Sequence, residues 1–414
     1  MTAAADAQAR CRSCGSDDLH VFLSLGKLPL PDALLREDQL SGPEGRFPLD
    51  VAHCRACSLV QLLGHVPSEL MFVDNYLYFS SFSDDLLEHA RQHAEELITR
   101  RDLDAESLVV EVASNDGYLL RNFVTAGIPC LGVDPTPGPA AEAERIGVPT
   151  LREFFGRECA RRIVAKQGNA DVVIANNVMA HVDDLNDFVG GLALLVADDG
   201  VITVENPYVR DLIDHGEFDT IYHEHVCYYS CTSVDRLAAR HGLFLNHVEY
   251  FPHLHGGTLR WHIGRREDRS DTLRSYLREE QERGITEARY YEGFGQRVEA
   301  IRSELRRMVT QLREQGHRVA AYGAAAKGTV MLNYVGLDHD LIDFVVDRNV
   351  HKQGLFMPGV HLPILAPEAL LEEAPDYTIL LAWNFTDEIL RQQQDYLDAG
   401  GRFIRPVPWP EVLQ

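Results

Sequence analysis

The chain has 414 residues, with 39 Lys+Arg against 63 Asp+Glu, a formal charge of −24 at pH 7. With 45% hydrophobic and 25% charged residues it has a globular composition and enough length for two or three domains. The acidic excess argues against nucleic acid and anionic membrane surfaces as partners, so an anionic ligand would need a locally favourable pocket.

The first ten residues lack a basic region followed by an apolar one, and no apolar run approaches the roughly 18 residues of a membrane helix. The expected location is the cytoplasm. Four of the eight cysteines form two Cys-x-x-Cys pairs, Cys11/Cys14 and Cys54/Cys57. Each pair can chelate one edge of a tetrahedral ion, and together they predict a closed, structural zinc site with no open position for water. Disulfides are disfavoured in a reducing compartment. His53 is a spare ligand, and the other cysteines read as small buried hydrophobes. Residues 1–68 are the expected zinc-binding module.

An amphipathic helix is expected over 84–100. Strands at 108–112, 129–134, 147–151, 171–175 and 200–205 then alternate with helical stretches, which predicts a parallel, doubly wound sheet within a domain spanning 69–267. Residues 268–316 read as a helical connector. A second Rossmann-like α/β unit is expected over 317–414, with strands at 318–323, 341–347 and 377–382 and a helix from Lys327.

The first strand-to-helix turn reads Glu111-Val-Ala-Ser114-Asn-Asp116-Gly117. It lacks G-x-G-x-x-G, so close approach of a pyrophosphate is not favoured. Asp134, ending the second strand, is placed to accept from ribose hydroxyls. Acidic groups at both points suit a cationic ligand without phosphate, such as S-adenosylmethionine. Phe154 and Phe155 are candidates to stack on adenine, and Asn176 and Asn177 to hold the methionine end.

The densest chemistry is Tyr222-His223-Glu224-His225, after the fifth strand. Its histidines are two apart, which does not suit a zinc hydrolase helix. An extended segment would put Tyr222 and Glu224 on one side and His223 and His225 on the other. An imidazole titrates near neutrality and can remove a proton acidified by a carbonyl, while a tyrosine or second imidazole donates to the enolate oxygen. His181 and Tyr76 are candidates to reach the same cleft. His253, His255 and His262 belong to a hairpin-like segment around Gly256-Gly257.

The C-terminal turn, Gly323-Ala-Ala-Ala-Lys327-Gly-Thr329, offers small residues, a helix N-terminus and a point charge to a phosphate, without P-loop spacing. Arg348 and Lys352 add charge, and Trp383 is a candidate to flank a planar base.

In this order these motifs resemble the S-adenosylmethionine-dependent C-methyltransferases of deoxysugar biosynthesis, and the resemblance covers essentially the whole chain. The chain looks like enzymes that methylate C-3 of a TDP-linked 3-amino-4-keto-2,3,6-trideoxyhexose on routes to antibiotic sugars. The same motifs occur in enzymes acting on 3-hydroxy-4-keto sugars. The resemblance implies an N-terminal zinc module, a middle domain for the methyl donor and a C-terminal domain gripping the TDP moiety. It implies His225 as the base for the C-3 proton, with Tyr76, His181, Tyr222 and Glu224 around the sugar. A nicotinamide-dependent sugar-nucleotide oxidoreductase would call for a complete G-x-G-x-x-G, which neither half has. A non-catalytic nucleotide-sugar-binding protein would leave the Tyr222–His225 cluster without a purpose.

Overall fold

The computed structural model describes residues 9–64, 66, 67, 71, 78–254 and 256–413, so Tyr76 and His255 lie outside the described residues. The N-terminal segment forms antiparallel strands β1 (Leu19–Pro29), β2 (Arg46–Cys54) and β3 (Val60–Leu62). The fourth strand of this sheet, β9 (Cys227–Tyr228), comes from the middle of the chain and pairs with β3 through Tyr228↔Val60 and Cys227↔Gln61.

The central sheet contains β4 (Val109–Val112), β5 (Cys130–Val133), β6 (Thr150–Leu151), β7 (Ala170–Asn176), β8 (Val196–Pro207), β10 (Phe244–Phe251) and β11 (Thr258–Gly264). Its order is β10-β11-β8-β7-β4-β5-β6, with β4 to β8 parallel and the β10–β11 hairpin antiparallel at one edge. Chain direction across the sheet reverses between β4 and β7, and there a crevice opens at the strands' carboxyl ends. All four residues of β4 are buried, as expected of a strand covered on both faces. The helix Asp84–Arg101 covers one face. Ser83 caps it by accepting from the Leu86 N–H, and Leu86, Ala90, Ala94 and Leu97 form its buried stripe.

The third sheet has the order β14-β13-β12-β15-β16-β17, built from β12 (Val319–Tyr322), β13 (Val345–Val346), β14 (Ile364–Leu365), β15 (Tyr377–Leu380), β16 (Arg402–Arg405) and β17 (Glu411–Val412). All its pairings but β16–β17 are parallel. Where a strand over 341–347 is expected, only Val345–Val346 pairs, because residues 338–344 turn before entering the sheet.

Residues 268–316 do more than connect. They carry the helices Asp271–Arg283 and Phe294–Glu314. In the second helix Phe294, Val298, Ile301, Leu305 and Val309 are fully buried, in one core with Leu23 and Leu25 of β1 and Val319 and Ala321 of β12. At about 1.5–3 kcal/mol per buried side chain, that stripe is a substantial bond between the first and third sheets.

Candidate active site

Cys11 and Cys14 lie on one turn, Cys54 and Cys57 on the β2–β3 turn, and their four sulfurs are all within 4.8 Å of one another. Cys11 and Cys57 are 3.4 Å apart and Cys14 and Cys54 3.6 Å, too long for disulfides. These separations are close to the roughly 3.8 Å edge of a tetrahedron with Zn–S of about 2.3 Å. Four thiol donors at these separations fill all four positions of a tetrahedral ion, as in a structural zinc site. His53 stays out of it, stacked on Tyr291 at 4.8 Å between ring centroids.

A single cavity of about 620 Å³ runs from the switch point of the central sheet to the first turn of the C-terminal sheet. Its central-sheet end, proposed below to take the methyl donor, is lined by Asn115, Asp134, Phe154, Phe155, Asn176 and Asn177. Asp134 ends β5 with Oδ2 accepting from the Asn115 N–H (2.8 Å) and Oδ1 from the Thr136 N–H (2.8 Å) and hydroxyl. Burial pushes its carboxyl upward, and these donors oppose the shift. The β4 turn is held in an uncommon shape, with Ala113 (φ 56°), Asn115 (φ 50°) and Gly117 (φ 77°) all left-handed, and Asn177 beyond β7 is left-handed too. Among the described residues the buried amide oxygen of Asn176 has no hydrogen-bond partner. Phe155 packs edge-on to Phe188 at 5.6 Å, whereas Phe154 is 45% exposed.

Glu111, Ser114, Asp116 and Gly117, expected as ligand contacts, do not line the cavity. Glu111 is buried beneath the turn, and burial, with Asp116 and Asp134 close by, pushes its carboxyl well above the usual range. Ser114 fills the space a side chain at Gly132 would take. Asp116 Oδ2 accepts from the Ser81 N–H at 3.0 Å, and a Cβ at Gly117 would press on Val148 and Ala143. Asn115 takes their place at the cavity wall. The only hint in the sequence was an Asn in the turn, a residue that tolerates left-handed backbone.

The middle of the cavity is lined by His181, Thr220, Tyr222, Glu224 and His225. Residues 222–225 are a tight turn closed by the His225 N–H on the Tyr222 carbonyl at 2.9 Å, not an extended segment. Tyr222 and His225 therefore meet instead of facing apart. Tyr222 Oη lies 2.8 Å from His225 Nε2, with ring centroids 4.0 Å apart. His225 Nδ1 lies 2.9 Å from the Thr220 carbonyl oxygen, an acceptor only. Nδ1 thus carries the proton, Nε2 offers its lone pair, and the Tyr222 hydroxyl donates to it. His181 stands edge-on to His225 at 4.7 Å, and burial lowers its pKa to about 4, so it is neutral. His223 leaves the cavity, its Nε2 3.1 Å from the Phe47 carbonyl of β2. The Leu62 N–H donates to Val226 O (3.0 Å) and the Val226 N–H to Ala180 O (2.7 Å), clamping the turn between the zinc module and the central domain.

Gly323, Lys327, Arg348 and Lys352 line the C-terminal end, proposed below to take the methyl acceptor. Gly323 has φ 101°, and a Cβ there would meet Ala382. Lys327, in the first turn of the helix Ala326–Val335, donates to Asn384 Oδ1 at 2.8 Å and lies 4.6 Å from the Trp383 ring centroid. Burial lowers its pKa while Asp219 and Glu217 oppose that. Trp383 does not line the cavity: its Nε1–H donates to buried Asp219 at 2.7 Å, and its ring covers Lys327. Thr329 also points elsewhere, its hydroxyl donating to the Pro31 carbonyl at 3.0 Å. Arg348 pairs with Glu388 at 3.0 Å. Asp32, which no motif singled out, enters the cavity from the zinc module 3.7 Å from Lys352 Nζ.

Numbered along the chain, the central sheet has the order 3-2-1-4-5-7-6, which is that of class I methyltransferases. With a cavity at its switch point and a buried aspartate at the second strand's end, the chain is an S-adenosylmethionine-dependent methyltransferase. Family models match as "Putative zinc binding domain" over residues 11–72, "Methyltransferase domain" over 86–248 and "C-methyltransferase C-terminal domain" over 253–408. The chain is 36% identical over 406 residues to the C-methyltransferase NovU of Streptomyces niveus, covering 97% of this chain and 96% of that one. It belongs to this C-methyltransferase family. Looser likenesses among solved structures include the magnesium protoporphyrin IX methyltransferase of Synechocystis PCC 6803 with bound SAH (TM-score 0.35, 13% identity, 44% of this chain and 83% of that one). Another is a methyltransferase in complex with the Trm112 activator of Haloferax volcanii (TM-score 0.36, 15% identity, 45% and 94%). Among the described residues no helix is long and apolar enough to cross a membrane.

Proposed function

We propose that the enzyme transfers the methyl group of S-adenosylmethionine to C-3 of a TDP-linked 4-keto deoxysugar, with His225 as the base. The observation that carries this reading is the continuity of the cavity, which joins the donor end, the Tyr222–His225 pair and the Lys327 turn in one space. The motif resemblance adds the 3-amino-2,3,6-trideoxy-4-keto-hexose as the preferred acceptor and antibiotic sugar biosynthesis as the setting.

The C-4 ketone acidifies the C-3 hydrogen, and the His225 Nε2 lone pair takes it. As Nε2 becomes protonated it turns from acceptor to donor, and the Tyr222 hydroxyl hydrogen is released toward the enolate oxygen. C-3 then attacks the sulfonium methyl, the S–CH₃ electron pair stays on sulfur, and the C-4 ketone re-forms. The His225 proton passes to solvent. Residues from two sheets facing one cavity hold the reactants together, a large part of the rate. Asp134 and Asn176 would hold the donor's ribose and ammonium, and Lys327, Arg348 and Lys352 the diphosphate. Incubation with methyl-labelled S-adenosylmethionine and separate TDP-4-keto sugars bearing 3-amino or 3-hydroxy groups tests this. Label in the 3-amino sugar is expected, label in the 3-hydroxy sugar alone would reassign the acceptor, and label in neither would overturn the reading.

A further inference from the structure

The proposed base is held by a carbonyl that is itself fixed by a short turn. The His225 Nδ1–H donates to Thr220 O at 2.9 Å. Thr220 closes the turn Phe218–Thr220, where its N–H (3.1 Å) and its hydroxyl (2.7 Å) both donate to the Glu217 carbonyl. The Ile221 N–H donates to Phe218 O at 3.1 Å. That N–H and the Thr220 carbonyl belong to one planar peptide and point opposite ways, so the turn decides where the carbonyl aims.

The turn is seated on the C-terminal domain. Phe218 is fully buried, its ring 5.4 Å from that of Tyr334 in the helix Ala326–Val335. Asp219 is fully buried too, and the Trp383 Nε1–H donates to its Oδ2 at 2.7 Å. Trp383 follows β15 and Lys327 follows β12. These strands are parallel neighbours, Tyr322 opposite Leu380, so both residues leave the same edge of the sheet. The Trp383 ring centroid lies 4.6 Å from Lys327 Nζ. One indole thus makes two contacts of different kinds: its face covers the cation, and its edge holds the carboxyl beneath the base. Packing alone would ask only for an aromatic ring here; the bond to Asp219 asks for the ring N–H.

We infer that Trp383 is a positioning residue for methyl transfer: through Asp219 and Thr220 it holds the Nδ1 proton of His225, while its ring holds Lys327. This rests on the C-methyl transfer proposed above. The C-terminal domain then orients the base as well as taking the acceptor. An imidazole whose Nδ1–H has lost its acceptor can carry the proton on Nε2 instead. A ring so protonated has no lone pair at Nε2 for the C-3 proton. No bond is made or broken at Trp383 or Asp219, and the Nδ1 proton stays in place through the cycle.

The test uses the zinc-loaded full chain, methyl-labelled S-adenosylmethionine and the TDP-4-keto sugar that wild type methylates. Trp383→Phe keeps an aromatic face over Lys327 and removes the N–H. It should lower kcat about 10–100-fold and change the KM for the sugar nucleotide less than about twofold. Asp219→Ala should reproduce that loss, and adding Trp383→Phe to it should lower kcat no further. Asp219→Asn keeps an acceptor for the indole and should retain most of the rate. Nitrogen-15 labelling of histidine, with the His225 signals assigned by their loss in His225→Gln, reads the tautomer without turnover. A proton on Nδ1 in wild type and Asp219→Asn, but shared with Nε2 in Trp383→Phe and Asp219→Ala, is expected. Three results would each overturn the inference: a His225 tautomer unchanged in Trp383→Phe, a loss expressed wholly in KM, or Asp219→Asn as impaired as Asp219→Ala. Failure of wild type to methylate any TDP-4-keto sugar would fall on the proposed function instead, and the imidazole signals would still decide the role of Trp383.

Discussion

The two ends of the cavity present opposite chemistry. At the central-sheet end Glu111 is buried away from the cavity, and Asp134, which does line it, is held by the main chain of Asn115 and Thr136. Beside that one carboxylate the wall here is left-handed backbone and the amide groups of Asn115, Asn176 and Asn177. At the acceptor end the wall carries charged side chains, each with a partner: Lys327 with Asn384, Trp383 and Asp219 behind it, Lys352 with Asp32, Arg348 with Glu388. In a chain of charge −24 these cations are locally compensated, so the diphosphate proposed above would compete with acids already in place. Net charge constrained the choice of macromolecular partner; the placement of a few charges and amides distinguishes one small ligand from the other.

Four substitutions or treatments probe this division. The largest effect should come from the turn that belongs to both ends. His225→Ala should lower kcat by about 10²–10⁴-fold with little change in the Kd of either ligand. Near-normal turnover would remove the base assignment. Removal of zinc comes next. The ion closes the β2–β3 turn, β3 pairs with β9, and Leu62 anchors Val226 directly after the catalytic turn. Stoichiometric zinc release under chelator should therefore abolish methyl transfer in step with the metal, and full activity after release would show the module to be dispensable to the turn. The ends should then separate. Lys327→Ala should raise KM for the sugar nucleotide about tenfold or more and spare that for S-adenosylmethionine, while Asp134→Ala should do the reverse. Equal effects of either variant on both KM values would erase the distinction.

Local pattern carried much of the architecture into the sequence. The two Cys-x-x-Cys spacings, the β/α alternation and the Gly323–Lys327 turn are short-range signals, and the observed zinc module and doubly wound sheets follow from them. What was hidden depends on contacts across long sequence separations. Nothing in Cys227-Tyr228 announces a partner at Val60, and nothing in Pro31-Asp32 announces the cavity. The turn at 222–225 defeated an extended reading because its conformation is set by Thr220, Phe47 and Ala180, not by its own residues. At the donor turn the acids were legible as residues, but which of them faces the ligand depended on the left-handed backbone at Ala113 and Asn115.

The smallest effect concerns stability rather than rate, and it examines the compensation behind the acceptor end. Asp219 is fully buried, and burial raises its pKa from 3.8 to about 7, against the pull of Lys327 and of the Trp383 N–H. A carboxyl with a raised folded-state pKa binds more protons folded than unfolded between its two pKa values, so its contribution to stability falls as pH rises from about 4 to about 7. Asn at this position keeps an acceptor for Trp383 without titrating. The stability of Asp219→Asn relative to wild type should therefore improve between pH 5 and pH 8, by up to about 3 kcal/mol at ~1.4 kcal/mol per pH unit. Urea midpoints of both proteins at the two pH values check this. A difference independent of pH would mean that Asp219 is already ionised at pH 5 as the counter-ion of Lys327, which would make the acceptor end a buried ion pair rather than a cation held mainly by an amide and an aromatic face.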